Sequence, residues 1–142
     1  MTKRILVPLD GSRSAEAVLP IVAATARDSG GTVRLVHVEP VPENVVGDYG
    51  RVVAYADQEM ARLEAKGRTY LEGARAELMG VPSEMVVRFG DPVVEIGQEA
   101  EAWEADLIAL TSGPARRWWP RRGVAETLPT RTPVPVLVYR ER

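Results

Sequence analysis

The sequence predicts an α/β fold: an open, parallel, five-stranded sheet in a three-layer arrangement, with helices on both faces. Three observations carry this. Short continuous apolar runs recur along the chain, as expected of strands buried on both faces. Between them lie segments whose apolar residues return at helical spacing. The two kinds alternate β-α-β-α-β-α-β-α-β, the order of a wound parallel sheet with right-handed crossovers. The 142 residues suggest one domain, 1–142, with no internal repeat or low-complexity segment.

"RILVPLD" (4–10) is the first strand and stops at an Asp-Gly turn signal. The next segment places Ala15, Val18, Leu19, Val22 and Ala26 on one helical face and ends at Gly30-Gly31. Ser12 is its expected N-cap, with Glu16 near the positive helix start. Pro20 removes an internal hydrogen bond, so a kink is expected there. "TVRLVHVEP" (32–40) is the second strand, and "VPENVVGDYG" (41–50) lacks periodicity and reads as a loop. A second helix runs from about Val52 to Met79, with Ala56, Met60, Leu63, Tyr70, Leu71, Ala74 and Leu78 as its inner stripe. Gly67 and Gly73 weaken it without breaking it. "MVVRF" (85–89) is the third strand. Asp91 as N-cap and Pro92 at the first helical position start a third helix, with Val93, Ile96, Ala100 and Trp103 facing inward. "DLIALT" and "VPVLVYR" are the fourth and fifth strands, with a short helix near 124–128 between them, limited by Pro129.

Composition removes several classes of function. The hydrophobic fraction is 45%, the charged fraction 27% and the net charge −2, so nothing favours nucleic acid or an anionic membrane as partner. No apolar run nears the roughly 20 residues of a membrane span, and "RILVPLD" is too short for a signal-peptide core. There is no cysteine, hence no disulfide, thiolate nucleophile or zinc–thiolate site, and the expected compartment is the cytoplasm. The single histidine, His37, lies in an apolar strand and reads as a satisfied structural residue. It leaves no Ser/His/Asp set to assemble. No metal ligand set stands out. Catalysis is therefore not expected, beyond a weak ATPase at most.

Ligands of open α/β sheets bind beyond the carboxyl ends of the strands, where the winding reverses. With the first strand beside the fourth, "PLDGS" (8–12) and "TSGPARR" (111–117) frame that place. Asp10 reads either as an acceptor for ribose hydroxyls or as a turn former at the helix start, and Ser12 as a cap rather than a ligand. "SGGT" (29–32) is similar to the start of a pyrophosphatase-type loop, but it ends a helix and reads as a C-cap. "GSRS" lacks the lysine of a Walker loop. The stretch "SGPARRWWPRRG" (112–123) carries Arg116, Arg117, Arg121 and Arg122, which could bind phosphate bidentately or form a solvated, partner-facing loop. Trp118 and Trp119 point in different directions on a loop; they suit a protein interface, base stacking, or one ring packed on the core.

"RILVPLDGSRSAEAVLP", "LVHVEPVP", "GDPVVEIGQEAEAWEADLIAL" and "TPVPVLVYR" occur in this order and together span nearly the whole chain. They resemble the universal stress protein family. The resemblance implies a Rossmann-like sheet of adenine nucleotide alpha hydrolase-like type, strand order 3-2-1-4-5. It also implies a stress-response role and a homodimer made by antiparallel pairing of the last strands. Many members bind ATP through a loop G-x2-G-x9-G-[ST] after the fourth strand. This sequence departs from that pattern: the first glycine falls on Thr111, the second on Pro114 beside Gly113, and the third on Gly123, followed by Val124. Pro114 has no N–H to offer a phosphate. Asp10 matches the family's acidic residue near the ribose, and Val38 the residue whose backbone meets the base.

Two readings follow. In one, the protein is an adenine-nucleotide sensor of ATP or AMP type. Pro8 and Leu9 line the cleft, Asp10 and the Val38 backbone hold the nucleoside, and Thr111, Ser112, Gly113, Arg116 and Gly123 face the phosphates. Mg is then expected only with a nucleotide. In the other, it is a dimeric interaction module without nucleotide, using loop 114–122 and the Trp118/Trp119 pair against a protein partner.

Overall fold

The computed structural model describes residues 3–42, 49–112 and 123–140, with 49–56 as backbone alone. Five strands, β1 (Arg4–Pro8), β2 (Thr32–Glu39), β3 (Ser83–Phe89), β4 (Leu107–Ser112) and β5 (Val136–Arg140), form one sheet of order β3-β2-β1-β4-β5. Every neighbouring pair is parallel. The helices are α1 (Leu19–Ser29), α2 (Tyr49–Arg75), α3 (Pro92–Trp103) and α4 (Gly123–Thr127).

Successive strand residues point to opposite faces, so each strand feeds two cores. Ile5, Val7, Leu9, Val33 and Leu35 pack with the α1 stripe Leu19, Val22, Ala23 and Ala26, and with Leu71 and Ala74 of α2. Leu6, Val36, Val38, Ile108 and Leu110 pack with Val93, Ile96, Ala100 and Trp103 of α3, and with Val124 of α4. The helical stripes expected for α1 and α3 are thus the buried faces. Asp91 caps α3, its carboxylate accepting from the Val94 amide at 3.1 Å, and Gly30 closes α1 at φ 68°.

Some expectations need correction. Pro20 makes no kink inside a helix. A 3₁₀ segment, Ser14–Val18, precedes α1, so Pro20 is the second residue of α1, where an amide has no intrahelical partner to lose. The second helix starts earlier, at Tyr49, and its α-helical part ends at Arg75, with 3₁₀ residues Ala76–Leu78 after it. The third strand starts at Ser83, two residues before the apolar run. Gly67 is more than a tolerated weakness: a Cβ there would lie 3.1 Å from Val87 Cγ2 and 3.2 Å from His37 Cδ2. The bare backbone lets α2 lie close against β2 and β3.

An ion network ties α3 to the sheet. Glu99, 5% exposed, accepts from Arg34 at 2.5 Å and from Arg88 at 2.7 Å. Arg34 also pairs with Glu84, and Arg88 with Glu95. Burial alone would pull both guanidinium groups down, but the bonds to these carboxylates win and hold them further up than usual. Arg34 lies over the Trp103 ring at 4.6 Å.

Candidate site at the β1 and β4 strand ends

The ladders place the site. β1 pairs with β2 from Arg4↔Thr32 to Pro8↔Val36, and β4 pairs with β5 from Ile108↔Val136 to Ser112↔Arg140. Between β1 and β4 the register covers only Ile5↔Leu107 and Leu6↔Ile108. The ladder therefore lapses before the carboxyl ends of these two strands, at the centre of the sheet. That is the reversal point of an open α/β fold.

The loop leaving β1 is fixed by its own side chains and by two neighbours. Asp10 Oδ1 accepts from the Ser12 amide at 2.9 Å and from Ser12 Oγ at 2.6 Å. Ser12 Oγ in turn accepts from the Ala15 amide at 3.2 Å. Asp10 thus forms the turn, one of the two readings open for it, and Ser12 Oγ supports the start of the 3₁₀ segment, whose N-cap position is Arg13 rather than Ser12. Gly11 makes the turn with φ 92°, a conformation that side chains disfavour. From β2, His37 Nδ1 lies 2.8 Å from the Leu9 carbonyl. From α2, Tyr70 Oη donates to the Ser12 carbonyl at 2.8 Å. The two rings meet edge to face, with centroids 5.5 Å apart. Burial raises the Tyr70 pKa well above the usual phenol range, and the charges of Glu16 and Asp10 add to it. Tyr70 therefore stays a donor across the working pH range.

On the β4 side, Thr111 Oγ1 donates to the Ala15 carbonyl at 2.9 Å and accepts from the Val18 amide at 3.1 Å. Its hydroxyl brackets the 3₁₀ segment against the end of β4.

The residues expected at the site divide by face and by exposure. Leu9 and Val38 are 0% exposed as whole residues, main chain included, and the Leu9 amide and carbonyl are bonded to the Val36 carbonyl and the His37 ring. Val38 lies two residues past the last β1–β2 pair, while still in register with Arg88 of β3. Pro8 is buried, and Asp10, Thr111, Ser112 and Gly123 are half-buried. By alternation Pro8 and Ser112 belong to the α3/α4 face with Leu6 and Leu110, whereas Leu9 and Thr111 belong to the α1 face. Gly123, at φ 78°, opens α4. Gly113 and Arg116, with Trp118, Trp119 and the rest of loop 114–122, lie outside the described residues.

Two contributors, Tyr70 and Glu39, escaped the reading of the sequence. Tyr70 looks like one more member of an apolar stripe, and only its hydroxyl tip marks it. Glu39 stands two residues after His37 on the same strand, hence on the same face, which was the available signal. Its carboxylate lies 2.7 Å from His37 Nε2. Glu16 carries a raised pKa, because burial opposes its charge and Glu77 adds to the effect, against the opposing pull of Arg13. Among the described residues no cluster of three or more His, Asp or Glu could hold a metal ion.

The family model described as the universal stress protein family matches residues 1–140. The chain belongs to the universal stress protein family. Solved structures agree with this assignment in fold. The hypothetical protein MJ0577 is 26% identical, with a TM-score of 0.79, over 100% of this chain and 98% of its own. A universal stress protein in complex with cAMP is 18% identical, with a TM-score of 0.66, over 99% of this chain and 98% of its own. One from Archaeoglobus fulgidus in complex with dAMP is 20% identical, with a TM-score of 0.61, over 97% of both chains. No match was found among curated proteins. The sheet order of this universal stress protein is the one its sequence resemblance implied. Among its described residues no helix is long and apolar enough to cross a membrane.

Proposed function

We propose that this universal stress protein binds an adenine nucleotide at the ends of β1 and β4 and acts as a sensor rather than a catalyst. The observation that carries the reading is the Leu9–Ser12 loop. It holds a carboxylate at the lapse in the β1–β4 ladder and is braced by His37 and Tyr70. Asp10 and the Val38 main chain hold the nucleoside, beside Pro8 and Leu9. Ser112, Gly113, Arg116 and Gly123 face the phosphates, with Mg arriving only as the nucleotide's counter-ion. The Thr111 hydroxyl is already engaged, so Thr111 contributes through its main chain. That fold neighbours were solved with cAMP and dAMP supports the ligand class. Isothermal titration with ATP, ADP, AMP and cAMP tests it. Saturable heat with at least one is expected; no heat and no thermal shift at millimolar ligand ends the reading.

The protein acts in the cytoplasm as a homodimer through β5. Its outer position in the sheet and the exposure of Leu137 (37%) and Val138 (39%) support that pairing. A second reading is favoured by the committed Thr111 hydroxyl and by the loss of the glycine pattern. In it, the 114–122 loop serves a protein partner in place of a nucleotide. Trp118→Ala with Trp119→Ala then abolishes partner capture while the fold persists; a double variant that keeps every partner excludes it.

A further inference from the structure

His37 is the only histidine of the chain and is 4% exposed. Both its ring nitrogens face acceptors. Nδ1 lies 2.8 Å from the Leu9 carbonyl, which cannot donate. Nε2 lies 2.7 Å from a Glu39 carboxylate oxygen, on a side chain 15% exposed. A neutral imidazole has one N–H and satisfies one of these contacts. With Glu39 ionised, either tautomer then turns a lone pair on an oxygen at hydrogen-bond distance, inside the protein, where that conflict is costly. A second ring proton removes it.

We propose that His37 is held as an imidazolium donating from both nitrogens, and that it is a positioning residue for the Leu9–Ser12 loop. The surrounding groups favour the positive ring. Glu39 faces it along β2, and Tyr70 of α2 meets it edge-on. Beyond Tyr70 stand the carboxylates of Asp10 and Glu16, whose charges act on the phenol. From β3 the register partner is Val87, and from the β1 loop the Gly11 position lies against the ring edge. When the proton leaves, one of the two bonds must be given up. Giving up the Leu9 bond frees the residue next to Asp10. Giving up the Glu39 bond unseats the ring that holds Leu9. Either change reaches the Asp10–Ser12 turn within three residues. What the turn is positioned for rests on the nucleotide reading above; the proton and the turn do not.

Long-range ¹H–¹⁵N correlation of uniformly labelled protein reads the ring without ambiguity, because there is one histidine. Two protonated-type ring nitrogens are expected at pH 7. As pH rises one of them converts to the acceptor type, and the backbone amides of Gly11 and Ser12 shift with the same midpoint. In Glu39→Gln, whose amide donates to Nε2, a neutral ring is expected at pH 7, and the two amides no longer titrate with it. An acceptor-type nitrogen in the unmodified protein at pH 7 overturns the proposal. So do Gly11 and Ser12 amides that stand still while the ring titrates. A Glu39→Gln chain that does not fold leaves the decision to the unmodified protein. The ligand arm uses cAMP, whose phosphate does not titrate in this range. Above the ring's midpoint its affinity is expected to fall by up to about tenfold per pH unit, the limit for one linked proton, and to stay flat in Glu39→Gln. Binding that ignores the ring's titration overturns the positioning role. Absence of cAMP binding at every pH counts against the nucleotide reading, and the spectra still decide the state of His37.

Discussion

Replacing Thr111 by valine removes one hydroxyl and almost no volume. The hydroxyl donates to the Ala15 carbonyl at 2.9 Å and accepts from the Val18 amide at 3.1 Å. Ala15 and Val18 are buried, so these main-chain groups lose a partner that water replaces poorly. Each such loss costs about 1–3 kcal/mol, and the half-exposed position of Thr111 favours the lower end. About 2 kcal/mol is therefore expected for the pair. In a domain of this size that lowers the melting temperature by roughly 6–8 °C. Circular dichroism melts and urea titrations with an unchanged m-value read it, with Thr111→Ser as the control that keeps the hydroxyl. Titration with cAMP at 20 °C, below the melt, should give wild-type affinity. If Thr111→Val melts within about 1 °C of the unmodified protein, the bracket is not energetically real. If affinity falls tenfold while the melt is unchanged, the hydroxyl is a ligand group and the assignment is reversed.

Three further outcomes are expected. Glu99→Ala strands two guanidinium groups in the layer between α3 and the sheet. A buried pair broken this way costs about 3–5 kcal/mol, reduced here to roughly 2–3 because Arg34 keeps Glu84 and Arg88 keeps Glu95; urea midpoints check it. Glu16→Gln acts through pH. The folded carboxyl titrates above the ordinary range, chiefly through burial, so ionising it costs the folded state. Its contribution to stability is fully present below the ordinary carboxylate pKa and is lost as pH rises through the folded one. The variant should match the unmodified protein near pH 3 and be equal to it or more stable, by a few tenths of a kcal/mol, at pH 7; a variant less stable at pH 7 than at pH 3, relative to the unmodified protein, contradicts this. Leu137→Lys with Val138→Lys charges the outer edge of β5 and should turn a dimer into a monomer by light scattering; an unmodified protein that is already monomeric at high concentration refutes the dimer.

The sheet was legible because each strand carries a short apolar run, whereas the helices carry their apolar residues at helical spacing. Asp91-Pro92 and Gly30-Gly31 mark helix ends by local chemistry alone, and both hold in the structure. What failed was local in a different way. Pro20 announces a constraint on its own amide, but only the tertiary bracket from Thr111, 91 residues on, goes with a 3₁₀ segment before it and a first-turn position for the proline. Gly67 reads as lost helix propensity because its purpose, closeness to Val87 and His37, belongs to two other strands. The β1 loop of the candidate site was legible as "PLDGS". The part made by Tyr70 and Glu39 was hidden, because one sat in an apolar stripe and the other at a strand end. Each acts through a single polar tip.

The division of labour at the β1 end explains why motif reading reaches only so far there. Leu9 and Val38 are wholly buried, one in each of the two cores. What Leu9 offers at this end is a main-chain carbonyl, bonded to His37, which a sequence does not spell. The position of that main chain is then set by residues that need never touch the ligand: His37 on the Leu9 carbonyl, Tyr70 on the Ser12 carbonyl, Thr111 on the segment that follows. Three side chains from β2, α2 and β4 converge on residues 9–18. A substitution at His37 or Tyr70 reaches Asp10 through its backbone.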